Sequence, residues 1–415
     1  MKILWLCNIV LPELAEEINI PKAVVGGWLT GVWRELKKKK EMEMALCIPI
    51  KNPLKLKDGK FENYYYYSFY AQYNIIDRKE QISRFCEILE EFQPDIVDIW
   101  GTEYLHTWEM VQACKKLQIL EKVLIHIQGL VSVIEKYYAF GISNEVLEKK
   151  VNGNSIKKER DNFRYRGNYE VQALEEVNYI SGRTEWDKYW SKKINEKINY
   201  YFCNEMLREG FYNNLAIWDA NDCQKHSIFI SQAGYAVKGI HLVLKELWSL
   251  KKKYIDLEVY IAGIDINTIQ STYASYVLSE IKQYNLEKTI HFLGKLNEAE
   301  MVIYYRKANI FLSTSVIENS SNSICEAMYI GTPVVASCVG GTQTLIQHGT
   351  SGFLYPLEET YMMEYYIDFI FQNIDAAVEI SKKEREIARK RHNKAEIMER
   401  LLSIYKTIME EPKLI

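Results

Sequence analysis

Short apolar runs bounded by turn-forming residues alternate along the chain with stretches whose apolar positions recur at helical spacing, a pattern typical of buried strands between helices. The predicted strands are Ile3–Cys7, Asp95–Trp100, Leu120–Ile127, a strand from Tyr179, Ser227–Ser231, Leu257–Gly263, Thr289–Leu293, Asn309–Thr314, Pro333–Ser337 and Gly352–Tyr355. The clearest predicted helices are Trp28–Lys40, Ile240–Leu250, Ser271–Tyr284 and Ser323–Ile330. This alternation predicts an α/β fold with parallel sheets covered on both faces.

The alternating pattern is interrupted once, by a polar segment without a clear period between Asn204 and Lys225. We therefore predict an N-terminal Rossmann-like domain at residues 1–205, a linker at 206–225 and a C-terminal Rossmann-like domain at 226–385. A final helical, charged segment occupies residues 386–415.

The most informative stretch runs from Ser315 to Pro356 and repeats the order strand, loop, helix N-terminus. Ligands of open α/β sheets bind at the carboxyl ends of the strands, and a helix N-terminus favours an anion such as phosphate. Glu318 in the loop and Glu326 on the helix flank the predicted N-terminus. A carboxylate beside an anion is favourable when it accepts hydrogen bonds from hydroxyls, which sugars and ribose supply. The stretch indicates a nucleotide-sugar site, in which Glu318 contacts the sugar and Glu326 the ribose.

Two alternatives to this interpretation are local. Ser323 with Glu326, and Ser315 with Glu318, fit the spacing of a helix capping box, in which the glutamate satisfies a backbone N–H. In that case the carboxylates are structural.

Candidate residues of the N-terminal half also follow strand ends. Gly26 and Gly27 precede a predicted helix, where a backbone without side chains lets a bulky ligand approach. Glu103, His106 and Gln128 follow two strands whose carboxyl ends should face one cleft, so we predict acceptor or catalytic contacts.

One ordered series of residues resembles the donor-site signature of glycosyltransferase family 4. The series comprises Glu318, Glu326 within the sequence Glu-Ala-Met, the sequence Gly-Thr-Pro-Val-Val-Ala, and the pair Gly340-Gly341. The segment Gly182–Asp187 is similar to a subset of that family among bacterial surface-polysaccharide enzymes. The resemblance implies a GT-B fold, with two Rossmann-like domains facing a central cleft and the last helix crossing back to the first domain. It also implies retaining transfer of a sugar from a nucleoside diphosphate to a glycan or lipid-linked acceptor, without a cofactor or a metal.

The resemblance assigns roles residue by residue. Lys238, followed by Gly239, matches the cation that holds the donor diphosphate, and the glycines at 26 and 27 lie near the phosphates. The turn from Gly294 to Leu296 resembles the segment whose backbone contacts the nucleobase. The remaining predicted donor contacts are in the loop and helix start: Asn319, Ser320, Ser321, Asn322 and Ser323.

Two positions depart from the family pattern. The usual arginine of the diphosphate site falls near Ala233, and the usual histidine near the donor sugar is Gln128, with His126 two residues earlier. Arg183 either binds a phosphate bidentately, replacing the lost cation, or holds its own strand–helix turn by a salt bridge. These departures leave two alternatives open, a sugar-nucleotide enzyme without transfer, such as a 2-epimerase, and a catalytically silent binding protein.

The net charge and the cysteine spacing limit the expected binding partners and cellular location. A net charge of −3 gives no general attraction to nucleic acid, and the eight cysteines lack zinc-type spacing, which fits reduced thiols in a cytoplasmic protein. Arg34 and Lys37–Lys40 form a basic helix end, either solvated or in peripheral contact with anionic lipid at the inner face of the cell membrane. No apolar run is long enough to cross a membrane.

Overall fold

A computed structural model describes residues 1–21, 26–39, 41–71, 78–214, 216–263 and 265–410. The contacts divide the chain into two compact units. Unit 1 comprises residues 1–132, 164–206 and 392–415, and unit 2 comprises residues 133–163 and 207–391.

The strands and helices follow the predicted alternation. The strands are β1 (Lys2–Leu6), β2 (Glu43–Ile50), β3 (Gly59–Phe61), β4 (Tyr64–Tyr70), β5 (Ile96–Trp100), β6 (Val123–His126), β7 (Tyr179–Gly182), β8 (Asn199–Phe202), β9 (Gln224–Ile230), β10 (Glu258–Ala262), β11 (Ile290–Gly294), β12 (Ala308–Ser313), β13 (Val334–Ser337) and β14 (Phe353–Tyr355). The helices are α1 (Pro12–Glu17), α2 (Gly27–Leu36), α3 (Lys79–Phe92), α4 (Leu105–Lys116), α5 (Val131–Tyr137), α6 (Asn144–Glu148), α7 (Ile156–Glu176), α8 (Glu185–Ile194), α9 (Glu209–Asn213), α10 (Leu244–Lys253), α11 (Thr272–Gln283), α12 (Glu298–Lys307), α13 (Asn322–Ile330), α14 (Thr342–Leu345), α15 (Thr360–Gln372), α16 (Ile374–Arg391) and α17 (Lys394–Glu410).

Unit 1 is built on a sheet in the order β3-β4-β2-β1-β5-β6-β7-β8, parallel except for β3. Its central strands β1 and β5 are buried along almost their whole length because both faces of the sheet are covered. The strand order reverses direction between β1 and β5, so the loops after these two strands are where a ligand site is expected.

Unit 2 is built on a wholly parallel sheet in the order β11-β10-β9-β12-β13-β14. Counted within the unit, this is the doubly wound order 3-2-1-4-5-6, whose reversal lies between β9 and β12. Both units are Rossmann-like, and the predicted α/β fold class is confirmed.

The C-terminal helix α17 belongs to unit 1. There Tyr405 lies fully buried, accepts a hydrogen bond from the indole of Trp5 at 3.3 Å and donates to the carboxylate of Asp98. The contacts start this part of unit 1 at residue 392, whereas the sequence placed the start of the last segment at residue 386.

Two other segments group differently from the predicted boundaries. Residues 133–163 pack into the core of unit 2, where Tyr138, Leu147 and Ile156 are buried. The predicted linker also lies largely in unit 2. Its Phe211 and Trp218 are buried there, and the Trp218 indole donates to the carbonyl of Ala308 at 2.8 Å. The many polar residues around these two aromatic side chains hid their burial in the sequence pattern.

The first helix of the Gly26 segment ends earlier than predicted. It spans Gly27–Leu36. Residues 22–25, which precede Gly26, and Lys40 lie outside the described part of the chain. Where the structure describes the chain, none of its helices combines the length and the hydropathy that a membrane span requires.

Candidate functional site

The loops after β9 and β12 meet at the carboxyl edge of the unit 2 sheet, where the strand order reverses. Lys238 Nζ lies 2.9 Å from Glu318 Oε2, and the Ser315 hydroxyl donates to the same oxygen at 3.1 Å. Both charged side chains are partly exposed, 30% for Lys238 and 21% for Glu318. Three residues are predicted as catalytic: Lys238, Glu318 and Gln128. The structure brings Lys238 and Glu318 together in the crevice that this fold uses for ligands, whereas Gln128 lies in unit 1.

Two glycines, Gly239 in the loop after β9 and Gly340 in the loop after β13, allow their loops to approach the loop after β12. A Cβ on Gly239 would overlap the carbonyl oxygen of Thr314, and a Cβ on Gly340 would overlap that of Glu318. Both residues have positive φ, 67° and 50°, which glycine adopts without strain. The Thr314 hydroxyl in turn donates to the Lys238 carbonyl at 2.5 Å. The glycines of the Lys238-Gly239 and Gly340-Gly341 pairs thus allow the backbones of neighbouring loops to contact each other at the site.

Glu326, on the first turns of α13, is 4% exposed and held by side chains from two other elements of unit 2. Arg208 donates from Nε and Nη2 to its two oxygens at 2.7 and 2.8 Å, and the Tyr305 hydroxyl donates at 3.1 Å. Burial raises the pKa of Glu326, while Arg208 acts against that rise. The helix cap is Ser321, without a side-chain hydrogen bond, so Glu326 is engaged by Arg208 and not in a capping box with Ser323.

The loop leading into α13 is mostly buried, including Asn319, Ser320 and Ser321, while Asn322 and Ser323 are half-buried. Arg391 at the end of α16 donates from Nη2 to the Ser320 hydroxyl at 3.3 Å. Sequence reasoning missed Arg391, because its segment has the interleaved charges of a solvated helix. Only the packing of α16 against α13 brings it to this loop.

Ala233, which stands where the family has an arginine, is fully buried. The side chain of Gln232 accepts hydrogen bonds from the backbone N–H groups of Ala233 and Gly234, at 3.0 and 2.8 Å. The turn after β9 is therefore stabilised by a neutral amide. The predicted nucleobase segment begins at Gly294, the last residue of β11, and Leu296 packs half-buried on the core of unit 2.

In unit 1, Asn8 connects two residues that the sequence placed at the strand ends. Its Nδ2 donates to Glu103 Oε2 at 3.3 Å, and its Oδ1 lies 2.7 Å from His106 Nε2. Asn8 follows β1 and the other two follow β5, so the three meet where the sheet order reverses. Burial raises the pKa of Glu103 to about 7 and lowers the pKa of His106 to about 3. Because an amide oxygen only accepts, His106 Nε2–H donates to Asn8 Oδ1, and Asn8 Nδ2 donates to Glu103.

Gln128, which is half-buried, lies in a second group of unit 1 with the buried Arg183 and Glu205. Gln128 Nε2 and Arg183 Nη1 both contact the Glu205 carboxylate, and Arg183 Nη2 donates to the Gln128 carbonyl at 3.0 Å. Arg183 is 4% exposed. Its salt bridge reaches Glu205, outside its own strand–helix turn, and at the turn itself the Arg183 backbone N–H donates to Asp187 Oδ2 at 2.9 Å. His126 is buried, with its Nε2 2.8 Å from Asp98 and its ring stacked on Trp100.

A cavity of about 610 Å³ opens in unit 1 at the carboxyl ends of β1, β2 and β4. Its walls are mainly apolar, and Asn8 and His106 form part of them. A buried ion pair, Arg78 with Glu109 at 2.9 Å, lies on the same wall. Helix α2 follows β1 along the chain. Gly26 is its N-cap and Gly27 its first residue.

Comparison with protein families places the unit 2 site in a known context. Residues 213–389, which contain Lys238, Glu318 and Glu326, match the family described as "Glycosyl transferases group 1". The putative colanic acid biosynthesis glycosyltransferase WcaL of Salmonella typhimurium is 25% identical over 178 residues, which cover 41% of this chain and 42% of the relative. The chain spans about two fifths of the length of such curated relatives.

Solved structures resemble the whole chain. Sucrose-phosphate synthase from Thermosynechococcus elongatus superposes with a TM-score of 0.73 at 16% identity, covering 98% of this chain and 99% of that one. Anabaena HepE, solved with UDP and glucose, gives a TM-score of 0.66 at 15% identity, covering 98% and 100%. At such identities these likenesses show the fold alone, and the predicted GT-B fold is confirmed.

Proposed function

We propose that this protein, whose residues 213–389 match the group 1 glycosyl transferases, transfers a sugar from a nucleoside diphosphate to an acceptor hydroxyl. The observation that carries the proposal is the Lys238–Glu318 pair in the crevice between β9 and β12. A cation there neutralises the diphosphate, and a carboxylate there accepts hydrogen bonds from sugar hydroxyls. HepE, of the same fold, was solved with UDP and glucose, which supports this class of donor.

The leaving diphosphate needs positive charge, because negative charge develops on it as the glycosidic bond breaks. Lys238 supplies one cation. We assign the second to Arg391, which contacts the Ser320 hydroxyl, because Ala233 occupies the position where the family has an arginine. The N-terminus of α13 adds the partial positive charge of its free N–H groups. With these groups the proposed reaction needs no metal ion or other cofactor.

Glu326 is assigned to the ribose hydroxyls of the donor. Arg208 orients this buried carboxylate and opposes the rise in pKa that burial causes, which lowers the cost of its charge at 4% exposure. Arg208 and Tyr305 occupy three of the roughly four lone-pair sites of this carboxylate, and Glu326 accepts a hydrogen bond from the ribose at the site left on Oε1. Gly294 and Leu296 are assigned to the nucleobase.

The acceptor is assigned to unit 1, with Glu103, His106 and Asn8 as contacts and Gln128 beside them. We propose a glycan or lipid-linked glycan, in keeping with the similarity to WcaL and to the surface-polysaccharide subset that Gly182–Asp187 resembles. The sugar is transferred with retained configuration, and the acceptor proton passes to the leaving phosphate.

The first experiment is a thermal-shift panel with UDP, GDP, ADP, CMP and their sugars, on wild type and on Lys238→Ala. A ligand at about 100 times its Kd stabilises the folded state by about 2.7 kcal/mol, so a specific nucleotide raises Tm. We expect one nucleotide to shift wild type and not Lys238→Ala, while Lys288→Ala, an exposed lysine of the same unit, behaves as wild type.

The nucleotide identified in this way is then used as a sugar donor with and without acceptors. Transfer only with an acceptor supports the proposal, and epimerised sugar without acceptor would assign the alternative isomerase activity. If millimolar ligand shifts neither protein, the donor site is refuted and with it the transferase.

A further inference from the structure

The segment that follows β2 and runs into β3, residues 51–60, is exposed along most of its length and is called the lysine loop below. Its sequence, KNPLKLKDGK, carries four lysines and one aspartate, a net charge of +3 in a chain whose net charge is −3. The loop is therefore a positive surface on a slightly negative protein.

Two leucines of this loop point into solvent. Leu54 is 93% exposed and Leu56 is 43% exposed. Leu54 lies in a short 3-10 turn, Pro53–Lys55, whose start is held by a hydrogen bond of 3.0 Å from the Leu54 N–H to Asn52 Oδ1. A single exposed leucine is ordinary, but here a local turn holds one out between lysines.

The lysines of the loop are available to an external anion. In the described part of the chain Lys51, Lys55, Lys57 and Lys60 form no ion pair, and the nearby carboxylates have other cations. Asp58 pairs with Arg84 at 2.5 Å, and Glu62 pairs with Lys37 at 3.4 Å. Lys55 donates to the Asn19 carbonyl at 3.4 Å and Lys60 lies over the Tyr65 ring, contacts that leave both charges in place.

The loop continues directly into the apolar cavity of unit 1. Lys51, Asn52 and Lys55 form part of the cavity wall, which is otherwise lined by residues such as Ile9, Ile20, Ile50 and Phe69. An amphipathic molecule held at the loop would find an apolar space beside its anionic group.

We propose that the lysine loop docks on an anionic lipid surface, with Leu54 and Leu56 in the interface and the lysines at the lipid phosphates. Alternating basic and apolar side chains are what such a surface selects, because burial of the leucines adds to the attraction of the lysines. The inference does not depend on transferase activity.

Two other basic segments fit a membrane less well. At the end of α2, Arg34, Lys37 and Lys38 pair with Glu13, Glu62 and Glu35. In unit 2 the exposed Ile255 follows Lys251–Lys253, but it is next to Asp256, and Lys253 pairs with Asp368 at 2.6 Å. Of the basic helix end predicted from sequence, Arg34, Lys37 and Lys38 are thus in ion pairs, and Lys40 lies outside the described residues. We therefore choose the lysine loop as the candidate contact.

The test is sedimentation of the full chain with vesicles of phosphatidylcholine alone or with phosphatidylglycerol. Wild type is expected to bind the anionic vesicles, less so at high salt. Lys57→Gln should weaken binding about fivefold and Leu54→Ser about tenfold. Leu54→Trp should strengthen it, since tryptophan favours the membrane interface. Neither Leu54 nor Lys57 is among the lining residues of the cavity.

The matched control is Ile303→Ser with Lys288→Gln, which removes an exposed isoleucine and an exposed lysine from unit 2. It should bind as wild type, and all variants should keep the wild-type Tm. Equal binding of wild type to neutral and anionic vesicles would overturn the proposal, as would Leu54→Ser/Lys57→Gln binding like wild type. A dimer that Leu54→Ser converts to monomer would also overturn it, by assigning the loop to a second copy of the chain.

Discussion

Lys238 Nζ contacts Glu318 Oε2 at 2.9 Å, joining the loops that follow the two strands between which the unit 2 sheet reverses its order. The contact crosses 80 residues of sequence. Each charge neutralises the other in the absence of a ligand, so a diphosphate that binds Lys238 must displace Glu318 or share the lysine with it.

Glu318→Gln is expected to separate binding of the product from turnover. Without the carboxylate beside Lys238, a nucleoside diphosphate meets less repulsion and its Kd should fall several-fold. The rate of transfer should fall at the same time, because Glu318 contacts the sugar in the proposed complex. Calorimetric Kd values and kcat measure the two effects. Glu379→Gln, which breaks a surface pair with Lys382, is the control and should change neither.

Arg391→Gln should raise the KM for the donor about tenfold if Arg391 replaces the cation missing at Ala233. The reason is the loss of one charge-assisted contact, worth about 1.5–3 kcal/mol. Arg389→Gln removes an exposed arginine from the same helix and should leave KM unchanged. An equal change in both variants would mean that Arg391 acts only through the net charge of the helix end.

Arg208→Met should destabilise the protein by about 3 kcal/mol, because it leaves the buried Glu326 carboxylate without its cation. Since the folded pKa of Glu326 is already raised by burial, this loss should shrink as the pH falls towards its ordinary value of 4.5. Urea unfolding at several pH values measures it. Arg208→Met/Glu326→Gln should recover part of the stability, and no recovery would contradict the ion-pair explanation.

Gly239→Ala and Gly294→Ala form a matched pair for backbone packing. Both glycines have a φ of 67°, so alanine is strained equally at the two positions. At Gly239 the new Cβ also meets the Thr314 carbonyl, whereas at Gly294 nothing lies within 4 Å. Gly239→Ala should therefore cost more unfolding free energy than Gly294→Ala, by about 1–3 kcal/mol. Equal losses of unfolding free energy in the two variants would show that the loops after β9 and β12 can move apart without an energetic cost.

Glu103 should make the stability of the protein depend on pH above the ordinary carboxylate range. Its pKa rises from 4.5 to about 7 on folding, so the stability it contributes is complete below 4.5 and is lost as the pH rises through about 7. Glu103→Gln should thus be more stable than wild type by about 2–3 kcal/mol at about pH 8 and similar at about pH 4. Glu90→Gln, an exposed site, should show no such pH dependence.

Much of the fold was predictable because its signals are local. Apolar runs such as Asn309–Thr314 matched β12 within one residue, and the helix predicted at Ser323–Ile330 matched α13 within one residue. Periodicity failed where polar letters surround a few buried aromatic residues, as at Phe211 and Trp218. There the tertiary core decides what the local pattern leaves undecided.

The same division holds for the candidate site. The sequence by itself determined which loops follow the strands, and therefore that Lys238, Glu318 and Glu103 lie at carboxyl edges of the sheets. Only the tertiary structure decided their partners: Arg208 lies 118 residues from Glu326, Arg391 lies 71 residues from Ser320, and Asn8 lies 95 residues from Glu103. Strand and helix formation depends on the pattern of neighbouring residues. An ion pair between remote segments depends instead on how the packed sheets and helices bring those segments together.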